Sequence, residues 1–179
     1  MKQKDQSGFS LIELLVVVSI LGVLTSLLIL YSRDSERQLT LIREQSKLVS
    51  TILRAKSLAV QTFIGEGPTC GYGVHFSEND ASYTLFKDAK INNECSANDK
   101  VLTDANEWEE TVDLSSLGVQ ISSGQTSDIF FIPPDPQVAI NGAVSSVPVD
   151  VIVDLSIIIN GQLSTRSIKI NNAGQVSTQ

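Results

Sequence analysis

From Phe9 to Tyr31 the chain is apolar or small at nearly every position, and Glu13 is the only charged residue in the run. A helix of that length crosses a hydrocarbon core of about 30 Å with its backbone polar groups satisfied internally. The run is apolar on all sides and begins near the N-terminus, which sets it apart from the buried core helix of a small domain. Beyond Tyr31 the pattern changes without a breaker, since no proline precedes Pro68 and no glycine lies between Gly22 and Gly65. Leu41, Ile42, Leu48, Val49, Ile52, Leu53, Leu58, Ala59, Phe63 and Ile64 recur at helical spacing. Arg33, Glu36, Arg37, Arg43, Glu44, Lys47, Arg54 and Lys56 fill much of the other face. The pattern predicts one helix from about Phe9 to Ile64, roughly 84 Å long at 1.5 Å per residue. Its second half is amphipathic, and a sheet supplied by the rest of the chain is the available partner for the apolar stripe.

Gly65-Glu66-Gly67-Pro68 stops the helix, and the chain beyond it is strand-like. Tyr72, Val74 and Phe76 alternate with Gly71, Gly73 and His75, Tyr83 to Phe86 forms a second run, and Ser77-Glu78-Asn79-Asp80 lies between them as a hairpin loop. Short strands are expected at Glu110–Leu114, Val119–Ser122 and Ile129–Ile132, after which Pro133-Pro134-Asp135-Pro136 breaks the pattern. The clearest strand signal comes last. Val149, Val151, Val153, Leu155, Ile157 and Ile159 share one face of an alternating run, Asn160-Gly161 is a tight-turn dipeptide, and Leu163 to Ile170 returns as the partner. Asn171-Asn172-Ala173-Gly174 then turns the chain into a short strand near Val176.

Charge and cysteine usage narrow the picture. The net charge of −7 speaks against nucleic acid or an anionic membrane face as the main partner. Cys70 and Cys95 are the only cysteines. In a domain outside the cytoplasm they most simply form one disulfide, contributing roughly 3 to 4 kcal/mol; two unpaired thiols are the alternative. Lys2 and Lys4 on one flank of the apolar run face Arg33, Arg37 and Arg43 on the other, so the charge rule assigns no orientation.

Three features of the N-terminus belong together: a short charged leader ending in Gly8, an apolar run opening on Phe9, and Glu13 as the fifth residue from Phe9. An ordinary secretory signal has a shorter apolar core followed by a small-x-small cleavage site. Here the charged stretch Ser32-Arg33-Asp34-Ser35-Glu36-Arg37 comes next instead, and a plain signal anchor has no use for Glu13 or for a glycine directly before Phe9. The set resembles the class III signal of type IV pilins and of the pilin-like proteins of type II secretion. The resemblance implies that a membrane-embedded prepilin peptidase cuts between Gly8 and Phe9 and methylates the new amine. It places the leader in the cytoplasm and the domain outside. The cut removes Lys2, Lys4 and Asp5, which takes the charge from −7 to −8. A carboxylate at mid-bilayer costs on the order of 3 kcal/mol, so Glu13 calls for a partner. The resemblance supplies one, the Phe9 amine of a neighbouring subunit in a helical filament. Gly22, the only glycine in the span, is where the helix would loosen on assembly, at about 1 kcal/mol relative to alanine. Many major pilins carry a proline later in the span, whereas Ser26-Leu27-Leu28-Ile29-Leu30 has none.

Most of residues 68 to 179 is similar to the GspH/FimT-like minor pseudopilins and minor pilins. The likeness rests on Tyr72-Gly73-Val74-His75-Phe76, Tyr83-Thr84-Leu85-Phe86, Ile129-Phe130-Phe131-Ile132-Pro133-Pro134 and a closing glycine hairpin. It implies an α+β fold with the long N-terminal helix packed on antiparallel sheet. The expected organisation is a leader over 1–8, a membrane-spanning half-helix over 9–31, an amphipathic half over 32–64 and a β-domain over 65–179.

No catalytic constellation is visible. His75 is the sole histidine, which excludes a triad and leaves little basis for a histidine zinc site; it reads as an outward-facing strand residue. Asn92, Asn93, Glu94, Asn98 and Asp99 could cup a calcium ion, but their spacing fits no EF-hand and a solvated loop is the plainer reading; Asp135 reads as turn chemistry. The expectation is a structural minor pilin or pseudopilin, not an enzyme, with no cofactor or metal. Its partners would be other pilin subunits, the prepilin peptidase and an inner-membrane platform protein. It would start in the inner membrane and end in a periplasmic or surface filament. A major pilin and a DNA-capturing minor pilin of a competence system are the alternatives; the second calls for a basic stripe that this acidic chain does not display.

Overall fold

The computed structural model describes residues 10–64, 69–89, 95, 100–134, 137–144 and 149–179, without the side chains of 29–33, 63, 64 and 105. Among the described residues there are one long helix, α1 (Leu11–Ile64), and ten strands: β1 (Thr69–Ser77), β2 (Ser82–Ala89), β3 (Trp108–Asp113), β4 (Gln120–Ser122), β5 (Asp128–Ile132), β6 (Gln137–Ile140), β7 (Ala143–Val144), β8 (Asp150–Ile159), β9 (Gln162–Asn171) and β10 (Val176–Thr178). The class is α+β. The chain divides into two compact units, one up to Arg37 and one from Gln38 to Gln179. The first holds the apolar part of α1. The second holds the rest of α1 and every strand.

Within the second unit all strand pairs are antiparallel, in a six-stranded sheet ordered β3-β2-β1-β5-β6-β7 and a four-stranded sheet ordered β10-β9-β8-β4. Leu41, Leu48, Ile52, Ala55 and Ala59 of α1 share one core with Val74, Phe76, Tyr83, Leu85, Ile129 and Phe131 of the larger sheet and Val151, Val153, Leu155 and Ile168 of the smaller. Strand alternation turns the neighbouring residues to the opposite face. There Phe86, Phe130 and Ala139 form a second, small core.

The buried stripe of α1 is narrower than the sequence pattern suggests. Ile42 and Leu53 are 42% and 48% exposed, while Glu44, assigned to the polar face, is 2% exposed. The reason is angular. Glu44 lies three residues after Leu41 and four before Leu48, so the helix carries it onto the core face. Its carboxylate accepts from Lys47 Nζ at 3.3 Å. Gln45, also buried, donates from Nε2 to the Ser167 carbonyl of β9 at 3.0 Å, and Lys56 donates to the Gly174 carbonyl at 2.8 Å.

The strand expectations hold with small shifts. Val149 is the exception in the last hairpin, lying exposed just before β8. β6 and β7 carry no alternation long enough to be read. The proline run that ends β5 precedes a return strand: Ile129–Ile132 pairs with Gln137–Ile140. The helix-stopping stretch 65–68, the turn residue Asp135 and most of the 92–99 loop fall outside the described residues.

Candidate functional site

The functional residues expected from the sequence fall into two groups, one on α1 and one in the β-domain. Gly8 and Phe9 lie outside the described residues. Ser10 stands immediately before α1. Its Oγ accepts the Glu13 N–H at 3.3 Å, and its carbonyl accepts the N–H groups of Glu13 and Leu14 at 3.1 and 3.2 Å. Ser10 is therefore the N-cap and Glu13 the third helical residue, the Ser-x-x-Glu spacing of a capping box. That signal is legible in Ser10-Leu11-Ile12-Glu13, although the apolar run around it points first to the membrane.

From Leu11 to Leu28 no residue is buried, and Leu11 itself is 83% exposed. The stretch is long and apolar enough to cross a membrane. Its hydroxyls turn inward to their own helix. Ser19 donates to the Leu15 carbonyl, Thr25 to those of Leu21 and Gly22, and Ser26 to that of Val23, at 2.8 to 3.0 Å. An apolar surrounding requires this, because it offers such groups no water. Gly22 lies inside the continuous helix, and a Cβ there would meet no atom within 4 Å.

In the β-domain Cys70 and Cys95 are joined by a disulfide, with Cα atoms 5.5 Å apart. His75 departs from its expected role as a plain outward residue. It is 27% exposed at the side chain, and its Nδ1 lies 2.9 Å from Asp128 Oδ1. The register explains the pairing, since β1 and β5 place His75 directly opposite Asp128. The Asp128 carboxylate also accepts the Ser127 hydroxyl at 2.6 Å and the Leu102 N–H at 3.1 Å. Burial pushes this carboxyl upward, but the hydrogen bonds from His75, Ser127 and Leu102 outweigh it and hold Asp128 below the usual carboxylate value. Because Ser127 bonds to the acid and not to the imidazole, the three do not form a nucleophile–base relay. Among the described residues no group of three metal-ligating side chains comes together.

Comparison with known proteins gives one finding. A family model described as the prokaryotic N-terminal methylation motif matches residues 3–29. Neither the curated proteins nor the solved structures give a match to the chain. The matched segment takes in Gly8, Phe9, Ser10, Glu13 and Gly22. It supports a type IV pilin-like class III signal and a prepilin-type protein similar to type IV pilins and pseudopilins. Such a protein is a structural subunit and not an enzyme, and its exposed apolar helix fits membrane anchoring.

Proposed function

We propose that this prepilin-type chain is a minor pilin or pseudopilin of the GspH/FimT-like group, a subunit of a type IV pilus or type II secretion filament. The observation that carries the reading is a single carboxylate, Glu13, in the first turn of α1, within the wholly exposed apolar stretch Leu11–Leu28 and inside a matched methylation motif. A prepilin peptidase cuts after Gly8 and methylates the amine of Phe9. The subunit waits in the inner membrane with the β-domain outside the cytoplasm, and an inner-membrane platform protein passes it to the growing filament. There Glu13 of one subunit meets the Phe9 amine of the next. In oil this pairing is worth far more than in water, and it removes a charge that would otherwise stay unpaired. Leu11, Leu14, Leu15, Val16, Val17 and Ile20 add packing without direction, so the ion pair sets the register. The absence of a proline after Gly22 in the span sets the chain apart from many major pilins.

Glu13→Val tests the mechanism. Removal of the leader should proceed, while incorporation into filaments, read by immunoblot of sheared material, should fall by an order of magnitude or more, the loss of roughly 1.4 kcal/mol or more of pairing. Mass spectrometry of the native protein should find a methylated Phe9 at the terminus. Normal incorporation of the valine variant, or a retained leader, overturns the reading.

A further inference from the structure

The β8–β9 hairpin turns at Asn160-Gly161, and the face it turns away from the core changes character along its length. Ile158 and Leu163, directly opposite each other at the tip, are 56% and 65% exposed. Behind them Ser156 stands opposite Thr165, and then Asp154 opposite Ser167, whose hydroxyl donates to the Asp154 carboxylate at 2.6 Å. Furthest from the tip come Ile152 opposite Lys169, and Asp150, whose carboxylate lies 2.9 Å from Lys169 Nζ. Residues 155–168 carry Arg166 as their only charge, in a chain whose net charge is −7. The β1–β2 turn, by contrast, carries Glu78 and Asp80.

Two hydrogen bonds orient this hairpin within the second unit. Gln45 reaches the Ser167 carbonyl and Lys56 the Gly174 carbonyl, so β9 runs the same way as α1. The tip therefore points toward Gln38, where α1 enters the unit. From Ser167 back to Gln162 the strand covers about 17 Å, while from Gln45 back to Gln38 the helix covers about 10 Å. The turn thus reaches the entry end. Ile157 and Ile159, on the core side of the tip, are buried in the core that holds Leu41.

We infer that the tip of the β8–β9 hairpin docks on a lipid bilayer, with Ile158 and Leu163 seated at the boundary between headgroups and acyl chains. The inference rests on the reading of Leu11–Leu28 as a membrane span. Tyr31 ends the apolar run seven residues before Gln38, so the entry end of the second unit is tethered to that run by at most about 25 Å of chain. The end that carries the tip is the end held near the bilayer. The rows of the hairpin follow the bilayer's own order. Apolar side chains gain by leaving water for the acyl boundary, hydroxyls suit the headgroup layer, and the Lys169–Asp150 pair stays in water. A protein partner imposes no such order along one direction. The exposed Arg166 attracts headgroup phosphates, and residues 155–168 hold no acid to repel them. Two apolar side chains make a reversible hold, which a subunit leaving the membrane gives up.

Tryptophan quenching tests this on the full chain in phosphatidylcholine–phosphatidylglycerol vesicles, with and without bromine on the acyl chains. Trp108 is the sole tryptophan and is 56% exposed; it lies two residues before Glu110, which pairs with Arg54 well along α1 from the entry end. Its emission should not respond to bromine, which makes it the control for an exposed indole away from the tip. In Trp108→Phe/Leu163→Trp and in Trp108→Phe/Ile158→Trp, emission should fall at least about twofold on bromination. Trp108→Phe/Leu21→Trp reports the apolar run itself. Quenching at position 21 without quenching at 158 and 163 overturns the docking and leaves the membrane span standing, whereas no quenching at any of the three overturns both. Quenching of Trp108 as strong as at 163 overturns the docking too, since the hold would then not belong to the tip. So does a blue shift at 163 that grows with protein concentration and ignores bromine, which would make the tip a contact between subunits.

Discussion

Asp128 and Tyr83 are buried titratable residues on opposite faces of the larger sheet, and they predict opposite ends of a pH profile. Asp128 is held below the usual carboxylate value, so its contribution is present above that value and is lost as pH falls through its lowered one. Asp128→Asn should cost about 1–3 kcal/mol at neutral pH and flatten the acid limb of the stability curve, read as urea midpoints between pH 5 and 2. Tyr83 is the reverse. Its hydroxyl is buried and makes no well-formed hydrogen bond among the described residues, although Thr51 is near enough to act on it. Burial pushes it up to about 12, with Thr51 opposing and the Glu44 and Glu110 carboxylates adding to the rise. A raised value means that stability is intact below the ordinary tyrosine value of 10.0 and is lost as pH climbs through about 12. Tyr83→Phe removes the buried hydroxyl, so it should be neutral or stabilising by up to about 1 kcal/mol and should remove this part of the alkaline loss, measured as thermal midpoints from pH 8 to 12. Neither residue announces its role in the sequence. The Asp128–His75 contact spans 53 positions and exists only through the β1–β5 register, which no local pattern encodes.

At the scale of elements, legibility tracks the length of the periodic signal. β8 and β9 pair residue for residue from Asp150↔Asn171 to Ile159↔Gln162 around Asn160-Gly161, and ten alternating positions leave one register open. β6 and β7 are four and two residues long and draw their place from β5, so no local pattern reveals them. For α1 the existence of the helix is plain in the sequence, but its buried face differs from the apolar stripe at Ile42, Leu53 and Glu44. Apolar residues flank the core stripe on both sides, and only the docked sheets select among them. The capping box at Ser10 is readable in four consecutive residues. In the sequence Gly71 and Gly73 read only as the residues that alternate with Tyr72, Val74 and Phe76 along a strand; they prove to be the floor under Phe130 and Phe86. Gly73→Ala places a methyl 2.5 Å from the Phe86 ring and 2.7 Å from the Ile129 carbonyl. It should destabilise the domain by about 1–3 kcal/mol, visible as a lowered midpoint in chemical denaturation.

For the whole molecule, the boundary between compact units falls after Arg37, inside α1 and without any glycine or proline to mark it. A fragment of residues 38–179 keeps the buried stripe of α1 and all ten strands. It should fold without detergent and unfold in one cooperative transition, read by calorimetry; a molten fragment would show that residues before Gln38 contribute to the core. By itself the sequence determined the apolar run long enough to cross a membrane, the methylation motif with its lone Glu13, the α+β class and the last hairpin. Each of these is written in consecutive residues, through hydrophobic period or short-range spacing, so no distant contact is needed to read it. The tertiary structure alone decided which helix face is buried, the pairing of His75 with Asp128, the burial of the Tyr83 hydroxyl and the packing of Leu102 against Phe86 and Phe130. Those depend on which strand lies beside which, and strand order is set by the packing of the whole core, where many registers compete and the one that buries the most apolar surface with its polar groups satisfied prevails.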